Sequence, residues 1–169
     1  MEQPNALTIA WTGIINTKPA MTYVSVQKSR YSYDLIDQTG EFVINLVPES
    51  LVKQTDFCGV RSGRDLNKFE YCGFTAQKME QVSAPGIAEC PVNLECRVTQ
   101  KIALGTHDMF LAEILNVHVD ERLIDQTGKL HIEKAHLAAY AHGAYFALGK
   151  QLGTFGYSVR KKKPAKRNR

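Results

Sequence analysis

The chain has 169 residues, 44% of them hydrophobic and 22% charged, which is one domain's worth of material with enough apolar content for a real core. No apolar run approaches the roughly 20 residues that cross a bilayer, and no signal-peptide pattern opens the chain, so a cytoplasmic protein with no membrane partner is expected. The formal net charge of +4 misleads: residues 160–169, RKKKPAKRNR, hold seven Lys or Arg and no acid, so the body up to Val159 carries 14 basic against 17 acidic residues.

That division suggests a domain over 1–159 and a basic, disordered tail over 160–169. A tail of this kind binds nucleic acid or anionic surfaces in some proteins, and nucleic-acid binding is the outlying alternative. Nothing elsewhere resembles a DNA- or RNA-reading module. The cysteines at 58, 72, 90 and 96 form no Cys-x-x-Cys and have no paired His spacing. Reduced thiols are expected rather than a metal site or a redox pair.

In chain order, Asn5-Ala6-Leu7-Thr8-Ile9-Ala10-Trp11 alternates as a strand does, and Thr12-Gly13 breaks it. A loop through Lys18-Pro19 leads to a second alternating run, Tyr23-Val24-Ser25-Val26. Lys28-Ser29-Arg30 then turns the chain into a short helix over Tyr31–Gln38, closed by Gly40, and Phe42–Val47 returns as a strand. A strand that delivers Ser29, Arg30 and Ser32 to the first turn of a helix makes an anion pocket, because the free N–H groups and helix dipole there favour negative charge. Arg30 adds a planar fork suited to phosphate.

Ser50 is placed to cap a helix over Leu51–Phe57. The loop from Gly59 to Phe69 is dense in Gly, Ser and Arg, chemically suited to wrapping an anion but equally ordinary as a surface connection. Val92–Val98 alternates strictly, which predicts a long half-exposed antiparallel strand. Gly105–Asp108 turns into a second one, Met109–Val117. Asp125–Lys129 is a hairpin-like turn, and the region from Tyr140 to Tyr157 is rich in small and aromatic residues. The pairs Asp108/Glu113 and Asp120/Glu121 read as solvated carboxylates, and the histidines at 118, 131, 136 and 142 are assigned no role. The expected fold is mostly β with short helices, a β-barrel rather than a βαβ sheet. No Gly-x-Gly-x-x-Gly follows a strand, which weighs against a dinucleotide fold.

These pieces fall in an order that resembles a known family. Asn5-x-x-Thr8-x-Ala10-Trp11, Ser25-Val26-x-x-Ser29-Arg30-Tyr31-Ser32-Tyr33, Gly40-Glu41-Phe42-Val43-Ile44-Asn45-Leu46, Ser62-Gly63-Arg64-Asp65-x-x-Lys68-Phe69 and His107-Asp108-x-Phe110 are similar to the flavin reductase-like proteins of the FMN-binding split barrel, most of all the flavoredoxin branch. The resemblance implies a homodimer with non-covalent FMN near the subunit interface, NAD(P)H as a co-substrate or a redox protein as partner, and flavin contacts at Asn5, Trp11, Ser32, Lys68, His107 and Tyr140. Ser29, Arg30, Ser62 and Arg64 are added here for the phosphate, and Asn45 for the ring. No catalytic side chain is expected, since the flavin carries the chemistry. His107 is the candidate for a nicotinamide or flavin contact. Family members usually have a further strand before the Asn5 motif, which this sequence lacks. A flavin-binding module without turnover is therefore the alternative to an oxidoreductase.

Overall fold

The computed structural model describes residues 3–160. Strands β1 (Thr12–Thr17) and β2 (Ala20–Gln27) form a hairpin. Val24 and Val26 of β2 point into the core with the period of two that the sequence shows. Helix α1 (Tyr31–Thr39) follows and stops at Gly40, whose left-handed φ of 67° lets its N–H reach the Ile36 carbonyl. Strand β3 (Glu41–Leu46) leads through a 3-10 turn to α2 (Val52–Val60) and the short α3 (Lys68–Cys72), which Asn67 caps by accepting from the N–H groups of Phe69 and Glu70.

Two short strands, β4 (Ala76–Gln77) and β5 (Gly86–Ile87), pair with each other. The long β6 (Val92–Ala103) and β7 (His107–Val119) form the central hairpin, and β8 (Ala138–Ala141) with β9 (Ala144–Ala147) form an outlying one. The main sheet is antiparallel throughout in the order β1-β2-β7-β6-β3. Its core is Val24, Val26, Phe42, Cys96, Phe110 and Ala112, with α1 packed on it through Tyr33 and Ile36. Among the described residues no helix is long and apolar enough to cross a membrane.

Several sequence expectations change. Ser50 caps no helix: it sits within the 3-10 turn Glu49–Leu51, and α2 starts at Val52 with no side-chain cap. The strand expected over Asn5–Trp11 is an extended segment outside any sheet, and the expected break at Thr12-Gly13 opens β1. The alternation is real but reports facing rather than pairing: Leu7 and Ile9 pack on the main core while Ala6 packs beside Phe69. The helix α3, unread in the sequence, lies inside the expected loop. The half-exposed strand is buried on both faces in its first half, where Asn93 and Glu95 are covered. Asp108 is 3% exposed rather than solvated, held by the Tyr33 hydroxyl at 2.6 Å and the Lys28 ammonium at 3.2 Å. All of the basic tail except Arg160 lies outside the described residues.

Candidate functional site

Three segments meet at the end of β2: the extended run before β1, the start of α1, and the loop between α2 and α3. They enclose a cavity of about 320 Å³ lined by Asn5, Leu7, Gln27, Ser29, Arg30, Tyr31, Ser32, Val60, Arg61, Ser62, Gly63 and Lys68. A second hollow of about 190 Å³ shares Leu7, Gln27 and Arg30 with it and runs along Thr8–Trp11 to Ser25 and His107. The larger volume is at the low end for a small-molecule site, about 300–1,000 Å³. The two together make an elongated recess with a polar end and a flatter end.

The charge of the recess is one-sided. Arg30, Arg61 and Lys68 line it, and no carboxylate does. Arg30 spends one donor on the Gly59 carbonyl at 3.0 Å, and the rest of its fork remains. Lys68 is 2% exposed. Its ammonium donates to the Ala6 carbonyl at 2.8 Å and the Cys58 carbonyl at 2.7 Å, which leaves one of its three N–H bonds. Burial pushes the Lys68 pKa below its ordinary value, and the positive charge of Arg30 acts in the same direction. A buried cation held by carbonyls and facing other cations calls for an anion.

The neutral donors agree. Ser32 is buried and its Oγ accepts from the Asn5 amide at 2.7 Å, so its hydroxyl hydrogen is left to point elsewhere. No side chain caps α1, whose first turn opens on the same cavity. Along the smaller hollow, the N–H groups of Leu7 to Ala10 find no acceptor among the described residues, so this strip of backbone can serve a ligand's acceptor edge. Trp11 and His107 close that end edge to face, their ring centroids 4.6 Å apart, and Thr106 Oγ1 lies 2.9 Å from His107 Nδ1. Gly63 is required where it stands: a Cβ there would come within 2.1 Å of Asn5 Oδ1 and 2.9 Å of the Tyr31 ring.

The structure thus gathers Asn5, Trp11, Ser29, Arg30, Ser32, Ser62, Lys68 and His107 around one recess. Three expected residues lie outside its lining. Asn45 uses its Oδ1 to accept from the Ile87 N–H at 2.9 Å and the Asn93 amide at 2.6 Å, so it fastens β5 to β3 and β6 instead of facing a ring. Arg64 is taken by Asp34 at 2.7 Å and the Ser29 carbonyl at 3.0 Å, because that carboxylate on α1 neutralises it. Tyr140 stands half exposed on β8 against Tyr145. The sequence reading missed Arg61, Gln27 and the Leu7–Ala10 backbone. The Gly/Ser/Arg-dense loop was the available signal for Arg61, but composition does not tell which arginine turns inward.

Comparison with known proteins supplies the family and the fold. The family model described as "Flavin reductase like domain" matches residues 1–149. An uncharacterized protein of Archaeoglobus fulgidus is 37% identical over 117 residues, covering 69% of this chain and 66% of its own length. The structure of flavoredoxin from Desulfovibrio vulgaris (Miyazaki F) superposes with a TM-score of 0.86 at 30% identity, over 92% of this chain and 85% of that one. Flavoredoxin from Methanosarcina acetivorans gives a TM-score of 0.82 at 32% identity with the same coverage.

Proposed function

Because the chain belongs to the flavin reductase like domain family, with a mostly β split-barrel fold, we propose that it is an FMN-binding oxidoreductase whose recess holds the cofactor. The observation that carries this reading is the cationic lining without a carboxylate: Arg30, Arg61 and Lys68 with the hydroxyls of Ser29, Ser32 and Ser62. This donor set suits a phosphate bearing close to two negative charges. FMN, when bound, would supply hydride and electron transfer.

The protein's own residues bind and orient it. Arg30 and Arg61 hold the phosphate end with the three serines. Lys68 adds positive charge from below, and Asn5 sets the direction of the Ser32 hydroxyl. The Leu7–Ala10 backbone offers donors to the acceptor edge of the ring, and Trp11 with His107 bounds the position where a nicotinamide or ring would lie. Arg64 is a strut that positions Ser29 and α1, and Asn45 holds β5. Electrons would come from NAD(P)H or a redox protein.

A homodimer is supported by the apolar arm beyond β7, where Tyr140, Phe146, Leu148, Leu152, Phe155 and Val159 are all exposed. Surface of this kind marks an association site. Tyr140 fits a role at that contact. The four unpaired cysteines support a reducing, cytoplasmic setting. The test is the visible spectrum of the purified protein with the extracted cofactor identified by mass, followed by stopped-flow mixing with NADH and NADPH. Bleaching of a bound flavin by either is expected. Protein that stays colourless after incubation with FMN refutes the cofactor, and flavin that neither nucleotide reduces refutes the reductase.

A further inference from the structure

Cys58 lies buried on α2 and Cys72 half-buried at the last position of α3, and their sulfurs stand 4.0 Å apart. The residues just before them, Phe57 and Tyr71, stack in parallel with ring centroids 4.2 Å apart and planes 6° from coincidence. Two successive pairs thus hold the helices side by side in register. The other two cysteines have no second sulfur beside them among the described residues: Cys90 packs with Phe69 of α3 and Ile87, and Cys96 lies in the main core.

We propose that Cys58 and Cys72 form a reversible dithiol–disulfide site that sets the strength of the cationic cavity. The link is Lys68. It opens the same five-residue helix that Cys72 closes, and its ammonium donates to the carbonyl of Cys58 itself. A disulfide needs the sulfurs at ~2.05 Å, so bond formation closes a gap of roughly 2 Å between them, shared between side-chain rotation and movement of the end of α3 against the Cys58 turn of α2. That movement alters the carbonyl that holds Lys68 in the cavity.

Entry is through Cys72, the more accessible sulfur, because burial pushes the Cys58 thiol up to about 12. With a low-molecular-weight disulfide such as oxidised glutathione as oxidant, the Cys72 thiolate attacks one sulfur, expels one glutathione thiolate and leaves a mixed disulfide. Cys58 then gives up its proton and displaces the second glutathione thiolate. Both protein thiols are oxidised, and one glutathione disulfide is reduced to two thiols. Disulfides that form in reducing compartments are typically transient and regulatory.

The cavity effect rests on the FMN reading; the thiol chemistry does not. The full chain is incubated with oxidised glutathione, alkylated, digested and mapped by mass, and FMN is titrated against the reduced and oxidised forms. A Cys58–Cys72 cross-linked peptide is expected. FMN affinity should be roughly tenfold weaker in the oxidised form, the scale of one charge-assisted hydrogen bond, and restored by dithiothreitol. The Cys72→Ser variant should bind FMN as the reduced protein does and ignore the oxidant. Absence of the cross-link, pairing with Cys90 or Cys96, or a cross-link that leaves FMN affinity unmoved overturns the inference. If the reduced protein binds no FMN, the proposed function falls, and the thiol site stands or falls on the cross-link alone.

Discussion

Replacing Arg30 by alanine separates the phosphate from the rest of the ligand. Arg30 gives one N–H to the Gly59 carbonyl at 3.0 Å, and the remaining guanidinium donors line both parts of the recess. Hydrogen bonds to a charged partner are worth ~1.5–3 kcal/mol each. The site is open to solvent on one side, so a figure near the lower end applies, about 2 kcal/mol, or roughly 30-fold in affinity. Riboflavin has the same ring and no phosphate, and its affinity should change by less than about threefold. Arg30→Lys keeps the charge without the fork and should fall between wild type and alanine for FMN. Fluorescence titration of both flavins at fixed ionic strength reads the difference. Losing the Gly59 bond costs about 1 kcal/mol of stability, which thermal melting monitors separately. Equal losses for FMN and riboflavin, in a variant that still melts cooperatively, would refute the assignment of Arg30 to the phosphate.

Lys68 attracts an anion only when protonated, and burial holds its pKa below the ordinary lysine value. FMN affinity should therefore fall as pH rises through that lowered pKa, while Lys68→Met binds about tenfold more weakly and lacks that pH dependence. A titration series across alkaline pH checks both. Gly63→Ala forces a Cβ against Asn5 Oδ1 and breaks its bond to Ser32, so FMN should bind about tenfold more weakly with about 1 kcal/mol lost in denaturant melts. Burial raises the Glu95 pKa, but hydrogen bonds from His118, the backbone of Gln81 and Glu80, and Asn116 outweigh it and bring the group down to about 2. Its folded value lies below the unfolded one of about 4.3. The stabilisation is thus present above that unfolded value and lost as pH falls towards 2. Glu95→Ala, which strands the buried Val82 N–H and removes the acceptor of the Gln81 N–H, should cost about 3 kcal/mol at neutral pH and flatten the acid limb of the melting curve.

What the sequence disclosed is what local periodicity encodes. Strands β2, β3, β6 and β7 and helix α1 follow from alternation, the turn before Tyr31 and the stop at Gly40, and each is a decision made within about ten residues. The run from Asn5 to Trp11 shows the limit. Its alternation is that of a strand, yet the packing sends Leu7 and Ile9 to one core and Ala6 to another, with the Ala6 carbonyl given to Lys68. Periodicity reports which side a residue faces, and pairing depends on what lies alongside. Asn93 and Glu95 fail for the same reason: the segment from Met79 to Ile87, which has no alternation of its own to announce it, folds back against β6, where Ile87 accepts from Asn93 and the N–H groups of Gln81 and Val82 donate to Glu95. At the site, the order of the motifs identified the stretches, while the choice between Arg61 and Arg64 rested on Asp34, a residue thirty positions away that claims Arg64.

The cations of the recess hold the fold together and also work against it. Lys68 ties the extended run to α2 through the Ala6 and Cys58 carbonyls, and Arg30 ties the start of α1 to Gly59. These bonds matter because the extended run meets β2 through one backbone bond, Ser25 N–H to the Trp11 carbonyl at 3.0 Å, and is otherwise joined to the walls by side chains, Asn5 to Ser32 and Thr8 to the Thr55 carbonyl. A carboxylate beside Lys68 would relieve the cost of its burial more fully than carbonyls do, but it would also occupy the place of the ligand and repel it. Carbonyls fix the ammonium while leaving its charge available. The lowered Lys68 pKa is the physical trace of that compromise: the folded protein tolerates an unfavourable buried charge, and a phosphate in the recess would remove the penalty. On the proposed reading, stability given up in the free protein reappears as affinity for the anion, and buried cations without a carboxylate partner, such as Lys68, are where such a site is sought.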